Sequence, residues 1–226
     1  IVALLISLLP SGLRIALMRA RGARIGQGCR IGLFTVIDAR RITIGDNVLI
    51  AGFNLIHRLA ELEMDTGSRM NGFNWITGAR TGSLRMGRNA AITRMHFFEA
   101  SGDVIIGENT IIAGRGSHFF THGISSTNLD DVRPIRIGPW CYVGSTSRFV
   151  PGSGISKGTF VGMGAVVTKF FPDEFTLIVG NPAAVKKQLS PTDPYFDRHY
   201  LPHDHHPSGY TGTVPVDEPT VSGQQG

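Results

Sequence analysis

Two histidines stand four residues apart in the segment His118-Phe119-Phe120-Thr121-His122-Gly123. They are the only closely spaced histidines between residues 25 and 188. An imidazole exchanges a proton near neutral pH, so it suits general base catalysis, and its neutral form also binds metals. The stretch from Ile124 to Pro134 then follows no repeating pattern. Because a loop that leaves a rigid scaffold is a common place for function, we predict that the loop 118–134 carries the active site.

The scaffold that must hold this loop is indicated by a strict six-residue period. Large apolar residues recur at Ile137, Val143, Phe149, Ile155, Val161 and Val167. Small residues recur two positions earlier in each unit, at Cys141, Ser147, Ser153, Thr159 and Ala165. Neither an α-helix nor a simple strand has a period of six, whereas a hexapeptide β-solenoid does. Both series are expected to point inward, the small one near the corners.

The same period continues towards the N-terminus with short interruptions. Apolar residues keep it at Ile25, Ile31, Ile37, Ile44, Ile50, Ile56, Met64, Met70, Ile76, Met86, Ile92, Phe98, Ile106 and Ile112. Several runs restart with an extended lead-in and a glycine, as in Val104-Ile105-Ile106-Gly107. Three sides make one coil of about 18 residues, so the chain predicts about eight coils. We therefore expect one all-β domain over residues 25–188, a parallel β-helix.

Strict counting raises a question about the two histidines. His118 falls in the large inward series and His122 in the small inward series. A regular coil would bury both, and they would then be structural. We expect instead that the register breaks here, because Phe119, Phe120 and Thr121 replace the usual glycine and turn residues. Asp130 and Asp131 of the same loop could orient the histidine or the acceptor, although solvated loop carboxylates are more common.

Composition and cysteine usage restrict the function classes. The 226 residues carry a net charge of +5 with arginines scattered through the repeats, which fits anionic small molecules or a membrane surface better than nucleic acid. The two cysteines, Cys29 and Cys141, both fall in small inward positions. We therefore expect neither a disulfide nor a metal role for them, and a reducing compartment is allowed.

Both ends of the chain depart from the repeat. Residues 1–24 hold the apolar run Ile1–Leu9, too short to span a bilayer, and a predicted short basic helix from Leu13 to Arg21. The chain begins with Ile1 rather than Met, which leaves open whether residues precede it. Two interpretations of this segment are open. It covers the first coil as a cap, or it contacts a membrane surface through four arginines: Arg14, Arg19, Arg21 and Arg24.

Residues 189–226 are rich in Pro, Gly, Ser, Thr and His and predict a flexible tail. The tail contains four histidines, which could bind a metal ion, although a flexible tail is the favoured interpretation: His199, His203, His205 and His206.

Five segments carry a resemblance to a known family: residues 106–113 (Ile-Gly-Glu-Asn-Thr-Ile-Ile-Ala), Thr121-His122-Gly123, residues 133–138 (Arg-Pro-Ile-Arg-Ile-Gly), residues 161–169 (Val-Gly-Met-Gly-Ala-Val-Val-Thr-Lys) and residues 179–183 (Val-Gly-Asn-Pro-Ala). The chain resembles hexapeptide-repeat acyltransferases, which are left-handed β-helices. It is most similar to the branch that acetylates sugars, which includes galactoside, maltose and polysaccharide O-acetyltransferases. The resemblance covers about residues 25–188.

This resemblance implies an acetyl-CoA-dependent homotrimer with active sites in clefts between neighbouring subunits. His122 would be the general base, with His118 as a second candidate, and transfer would be direct, without an acyl-enzyme or a metal. The Ser145 amide would stabilise the negative oxygen. The positions implied for cofactor binding are Gly144, Ser145, Gly162, Met163, Thr168 and Lys169. A cytoplasmic location is expected, and the inner face of the membrane is compatible with it.

The acceptor and two rival functions stay open at this stage. Phe73, Trp75, Phe97 and Phe98 could stack on a sugar, although core packing is the favoured interpretation. An anionic or lipid-linked saccharide could meet Arg80, Arg85, Arg88 and Arg94. Hydroxyl or amine acceptors and acyl donors other than acetyl are undecided. The rivals are a carbonic-anhydrase-like metalloenzyme using His118, His122 and His96, and a non-catalytic scaffold.

Overall fold

The chain folds as a parallel β-solenoid of about eight coils, which confirms the fold predicted from the six-residue period. The structure is a computed structural model that describes residues 2–124 and 126–198. Each coil visits three faces in a fixed order, and each strand pairs in parallel with its counterparts in the coils before and after it. The coils are numbered here from the N-terminus.

The strands are numbered in chain order and divide among the three faces. The first face contains β1 (Arg24–Ile25), the second halves of β3 (Val36–Ile44) and β5 (Leu55–Met64), β8 (Ser83–Met86), β11 (Val104–Ile106), β16 (Ile135–Ile137), β19 (Gly154–Ile155) and β22 (Phe170–Phe171). The second face contains β2 (Arg30–Ile31), β4 (Leu49–Ile50), β6 (Arg69–Met70), β9 (Ala91–Ile92), β12 (Ile111–Ile112), β17 (Tyr142–Val143), β20 (Phe160–Val161) and β23 (Thr176–Val179). The third face contains the first halves of β3 and β5, β7 (Trp75–Thr77), β10 (Phe97–Glu99), β13 (His118–Phe120), β18 (Arg148–Phe149) and β21 (Val166–Val167).

Three corners join these faces, and they differ in how the chain turns. The first corner joins the first and second faces, and the second corner joins the second and third faces. The third corner leads from the third face to the first face of the next coil. β3 and β5 pass through this corner as continuous strands.

Large apolar side chains fill the interior in columns, one per face. On the third face the rings of Phe98, Phe119 and Phe149 are stacked, with centroids 4.4 Å and 5.0 Å apart. All three side chains are fully buried. Because each coil repeats the same inward position, the columns form one continuous core along the solenoid.

A buried polar column runs beside this core at the second corner, in the small inward series. The Asn74 Oδ1 atom accepts the backbone N–H of His96 at 2.9 Å, and the His96 Nδ1 atom accepts that of Ser117 at 3.2 Å. Because Nδ1 is an acceptor, the proton of the neutral ring is on Nε2, which lies 2.9 Å from the Thr93 hydroxyl. Burial lowers the pKa of His96 to about 4, with a smaller contribution from the charge of His118.

Two short helices, α1 (Val2–Ile6) and α2 (Ser11–Ala20), close the N-terminal end of the solenoid. The buried Arg14 guanidinium donates to carbonyl oxygens of Ile6, Leu9 and Gly32, and Arg19 donates to Ile25 O at 2.8 Å. Arg14 is therefore unable to contact a membrane, and Arg19 is engaged with the first coil. Neither helix is long and apolar enough to cross a membrane, and the same holds for every helix in the described residues.

The C-terminal end is closed differently. Strand β24 (Ala184–Gln188) pairs antiparallel with β23, and the 3-10 helix Pro194–Asp197 packs back on the second face. There the Tyr195 hydroxyl donates to Cys141 O at 2.8 Å, and its ring lies 4.6 Å from that of Phe160. The start of the predicted tail is thus packed. The four tail histidines lie outside the described residues.

The two cysteines are free thiols in the structure. Cys141 is fully buried, and burial raises the pKa of its thiol to about 12. Because the thiolate is the nucleophilic form of cysteine, Cys141 is unsuited to form an acyl-enzyme.

Candidate active site

The candidate loop leaves the solenoid at the third corner as a β-hairpin. After β13 the chain forms β14 (His122–Gly123), which pairs antiparallel with β15 (Asp131–Val132). The Arg133 backbone N–H donates to Thr121 O at 2.9 Å, and the Arg133 side chain binds the Asp131 carboxylate at 2.7 Å. The departure from the coil therefore begins at Thr121, and His118 still lies in a solenoid strand.

The expected break in register is confirmed and has a simple cause. Phe119 follows Ile112 by seven residues, whereas the period is six, and Phe119 takes the inward position opposite Phe98. His118 consequently points outward beside Phe97, with ring centroids 5.8 Å apart. Strict counting would have buried both histidines, but the extra residue places both on the outside of the solenoid.

His122 is held through its backbone by a carboxylate of the preceding coil. The Glu99 Oε2 atom accepts the His122 backbone N–H at 2.9 Å and lies 3.0 Å from the Thr121 hydroxyl. The Oε1 atom of Glu99 accepts the backbone N–H of Ser101 at 3.1 Å. Sequence analysis missed Glu99, because nothing near it in the chain distinguishes it from other outward residues.

The His122 imidazole itself is open to an incoming group. Its side chain is 39% exposed, and its Nε2 atom lies 3.7 Å from the Asp130 Oδ1 atom. This distance is too long for a hydrogen bond. Asp130 is 86% exposed, so its charge attracts a protonated imidazole only weakly, across solvent. The side chain is therefore accessible, with a carboxylate nearby but not bonded to it.

The residues implied for cofactor binding divide between two corners. Gly144 and Ser145 lie at the second corner of the sixth coil, and Gly162 and Met163 at that of the seventh. Thr168 and Lys169 lie at the third corner, on the same side as the hairpin. These last two side chains are exposed, and Met163 is 79% exposed.

His122 and Ser145 therefore lie at opposite edges of the third face of one chain. The chain between Ser145 and Val150 crosses this face, a span of roughly 16 Å. No hydrogen bond within the described residues uses the Ser145 backbone N–H, so this donor is available to a bound group. One chain alone does not bring these two groups to the same atom.

The three histidines of the rival metal site do not converge. His96 is in the buried polar column with both ring nitrogens engaged, whereas His118 faces outward from the same side of the solenoid. Within residues 2–124 and 126–198, no group of three His, Cys, Asp or Glu side chains could hold a metal ion.

An outward row of aromatic rings leads along the third face to the hairpin. Trp75 and Phe97 meet edge to face at 5.2 Å, and the ring of Phe120 lies 5.6 Å from that of Phe97. Trp75 is 51% exposed. Sequence analysis favoured core packing for these aromatic residues. The structure buries Phe98 in the core but leaves Trp75 and Phe73 exposed.

Two of the four arginines considered for an anionic acceptor are paired with carboxylates. Arg80 binds Asp38 at 2.8 Å, and Arg85 binds Glu61 at 3.2 Å. Their charges are therefore partly compensated by these carboxylates. Arg88 and Arg94 are exposed.

The fold that carries this site is shared with solved structures, although sequence comparison alone finds no relative. No known protein-family profile matches the sequence, and no curated protein matches it. The fold is that of the hexapeptide-repeat β-solenoids. This confirms the fold that the sequence resemblance predicted.

Three of these solved structures are informative. The polysialic acid O-acetyltransferase OatWY is 17% identical with a TM-score of 0.51, over 74% of this chain and 88% of its own. A hexapeptide-repeat acetyltransferase from Vibrio cholerae is 18% identical with a TM-score of 0.50, over 83% and 86%. A variant of AntD, an N-acyltransferase from Bacillus cereus bound to dTDP and coenzyme A, is 13% identical with a TM-score of 0.50, over 77% and 89%. At these identities the likeness concerns the fold.

Proposed function

We propose that the protein transfers an acetyl group from acetyl-CoA to a hydroxyl group of a sugar or polysaccharide precursor. The observation that carries this proposal is the exposed His122 imidazole, held on a hairpin whose backbone is bound by Glu99. The proposal is supported by the activities named for proteins of the same fold, which are O-acetyl, acetyl and N-acyl transfer.

In this mechanism His122 acts on the acceptor. Its neutral imidazole takes the proton as the acceptor oxygen attacks the thioester carbonyl carbon. The tetrahedral intermediate carries a negative oxygen, which the free Ser145 N–H stabilises by a hydrogen bond. When the carbon–sulfur bond breaks, the imidazolium returns the proton to the thiolate. The products are the acetyl ester and coenzyme A, and no acyl-enzyme forms.

The positions of His122 and Ser145 favour a site shared between chains. Because they lie at opposite edges of one face, His122 of one subunit meets Ser145 of a neighbour when the solenoids stand side by side. We propose a homotrimer, in which three such clefts close symmetrically. Gly144, Gly162, Met163, Thr168 and Lys169 then line the clefts and hold the pantetheine arm and phosphates.

The aromatic row supports a saccharide acceptor. Trp75, Phe97 and Phe120 offer apolar ring surface next to the catalytic hairpin, and sugar rings pack on such surfaces through their C–H faces. His118 stands in this row, so we assign it to acceptor contact rather than to proton transfer. A cytoplasmic location, at the inner membrane face when the acceptor is lipid-linked, is part of this proposal.

The test is thiol release from acetyl-CoA with a panel of sugars and amino sugars, for the wild type and two variants. Acceptor-dependent release that falls about 10²–10⁴-fold in His122→Ala, and much less in His118→Ala, is the expected result. Release unaffected by His122→Ala would exclude this base. A wild type that neither binds acetyl-CoA nor releases thiol with any acceptor would favour the scaffold function.

A further inference from the structure

A cavity of about 740 Å³ lies between the two N-terminal helices and the first coils of the solenoid. We call it the end cavity. Its volume falls within the range of about 300–1,000 Å³ that is typical of pockets for small ligands. Most of its lining is apolar and comes from both helices and from β3, including Ile6, Met18, Ile37, Ala39 and Ile42. The hairpin with His122 follows the fifth coil, so the end cavity is separate from the candidate active site.

The end cavity is a part of the hydrophobic core that remains unfilled. Three residues of β3 that keep the inward register line it, and they are only half-buried: Ile37, Ala39 and Ile42. Their register partners in β5 are fully buried: Ile56, Leu59 and Leu62. Helix α1 has only 5 residues, so it covers the first coil incompletely. Because apolar side chains beside an empty space lack contacts on one side, the end cavity favours an apolar occupant.

A polar group at the third corner forms another wall of the end cavity. The Asp38 carboxylate accepts two hydrogen bonds from the Arg80 guanidinium, at 2.8 Å and 3.2 Å, and one from the Arg58 backbone N–H at 3.3 Å. Burial alone would raise the pKa of Asp38, but these hydrogen bonds lower it, so the carboxylate is charged. Arg58 and Arg80 have φ angles of 60° and 67°, a strained conformation that is often retained at ligand sites. This wall is thus fixed across three coils.

The charges that line the end cavity favour an anionic head group on its occupant. Asp38 is the only carboxylate among the described residues of the lining, which also contains four arginines. Arg14 is bound to carbonyl oxygens, and Arg80 is bound to Asp38. The exposed Arg21 and Arg40 make no side-chain hydrogen bond or ion pair with residues 2–124 or 126–198. Two such guanidinium groups suit a carboxylate or a phosphate, which they bind by paired hydrogen bonds.

The end cavity is built by one chain. Its walls are the two helices, the turn at Gly22 and the first strands of the solenoid. A subunit that stands beside the solenoid contacts its outer faces and does not fill the space between the helices and the first coil. The occupant is therefore a molecule small enough to enter this space, with an apolar body and an anionic end.

We propose that the end cavity binds a single-chain anionic amphiphile, a molecule with one hydrocarbon chain and a carboxylate or phosphate head. The chain lies on Ile37, Ala39 and Ile42, and the head is bound by Arg21 and Arg40. The bound chain completes the first layer of the core, so the ligand stabilises the folded protein. This proposal does not depend on the acyl-transfer proposal, because the two sites share no residue.

The test uses the full chain and titration calorimetry with laurate and dodecyl phosphate, both below their critical micelle concentrations. We expect one saturable site for at least one of these probes and a Tm that rises with its concentration. The probe that binds more tightly identifies the head group as a carboxylate or a phosphate. Dodecanol lacks the charge, and acetate and inorganic phosphate lack the chain. Each of these three should bind at least about tenfold more weakly.

Two variants test the two parts of the end cavity. Ala39→Leu introduces the residue that the next coil has at the paired position, Leu59, so the Tm of the free protein should not fall. Its added carbons occupy the space of the chain, and probe affinity should fall at least about tenfold. Arg21→Gln combined with Arg40→Gln should lower affinity by about the same factor, because the charged hydrogen bonds are lost. The matched control combines Arg24→Gln with Arg30→Gln, two exposed arginines outside the lining, and should bind like the wild type.

Four results would overturn the proposal. The first is a wild type that shows no saturable binding of either probe. The second is an Ala39→Leu variant that binds the probes as tightly as the wild type. The third is equal affinity in the two pairs of arginine variants. The fourth is dodecanol binding as tight as that of laurate and dodecyl phosphate, which would leave no role for an anionic head.

Discussion

The carboxylate of Glu99 accepts the backbone N–H of His122 at 2.9 Å, and this bond joins the fourth coil to the hairpin that follows the fifth. Glu99 pairs with Phe120 in the regular strand register, so its own position is set by the rigid solenoid. A base on a mobile loop would sample many orientations. Here the loop begins at a fixed point, and the imidazole inherits part of that order.

Replacing Glu99 tests this positioning role. We expect Glu99→Ala to lower kcat about 10–100-fold, because a misplaced base loses its reactive geometry. The KM for acetyl-CoA should stay near the wild-type value, since the proposed cofactor residues lie in later coils. Glu99→Gln keeps one acceptor oxygen and should lose less. An unchanged kcat in Glu99→Ala, with a lowered Tm, would reduce Glu99 to a structural residue.

The two histidines should respond differently to aromatic replacement. His118→Phe places a ring where the row of Trp75, Phe97 and Phe120 already offers apolar contacts. We therefore expect kcat within about threefold of the wild type, because no proton transfer is lost. His122→Phe should abolish transfer. Comparing kcat and acceptor KM for both variants checks this, and a collapse of kcat in His118→Phe would reassign the base.

A mixing experiment tests the shared cleft. His122→Ala lacks the base, and Ser145→Pro lacks the amide donor while suiting a turn position before Thr146 at positive φ. Each variant alone should be inactive. When they are unfolded together in equal amounts and refolded, about a quarter of the sites combine both intact groups, and activity should return in that proportion. If one chain supplied both groups, the mixture would stay inactive.

Stability should fall on acidification because of His96. Its folded-state pKa of about 4 lies below the value of an exposed histidine, so the unfolded chain binds the extra proton more readily. This contribution is fully present above about pH 6.5 and is lost as pH falls towards 4, by an amount on the order of 3 kcal/mol. In the same column the Asn54 Oδ1 atom accepts the backbone N–H of Asn74 at 2.9 Å, so an asparagine suits the position of His96. His96→Asn should therefore flatten this part of the Tm–pH curve. An unchanged curve would contradict this assignment.

The solenoid could be predicted from the sequence because its period acts locally. Each inward residue, such as Val143 or Phe149, follows the previous one by six positions, and the coil repeats the same environment. The break in register near Phe119 is predicted by the residues that replace the usual turn. The size of the shift, one residue, is not, because only the pairing of Phe119 with Phe98 fixes the register.

Other parts of the site depend on contacts between coils. Glu99 and His122 are 23 positions apart, and the insertions at the third corner hide which residues come together. His96 keeps the six-residue count of the small series, so its burial was readable in principle. The exposed phenylalanines of the second corner were not, since their positive φ runs against their own backbone preference.

The antiparallel strand β24 covers part of the C-terminal end of the solenoid. Stacked parallel coils present an open edge on which further chains could add without limit, as in a fibre. At one end β24 reverses direction and sets Lys186 and Lys187 on that edge, while at the other end Arg14 satisfies the carbonyls of the covering helices. These two features cover edges of the end coils and so oppose the end-to-end addition of further chains.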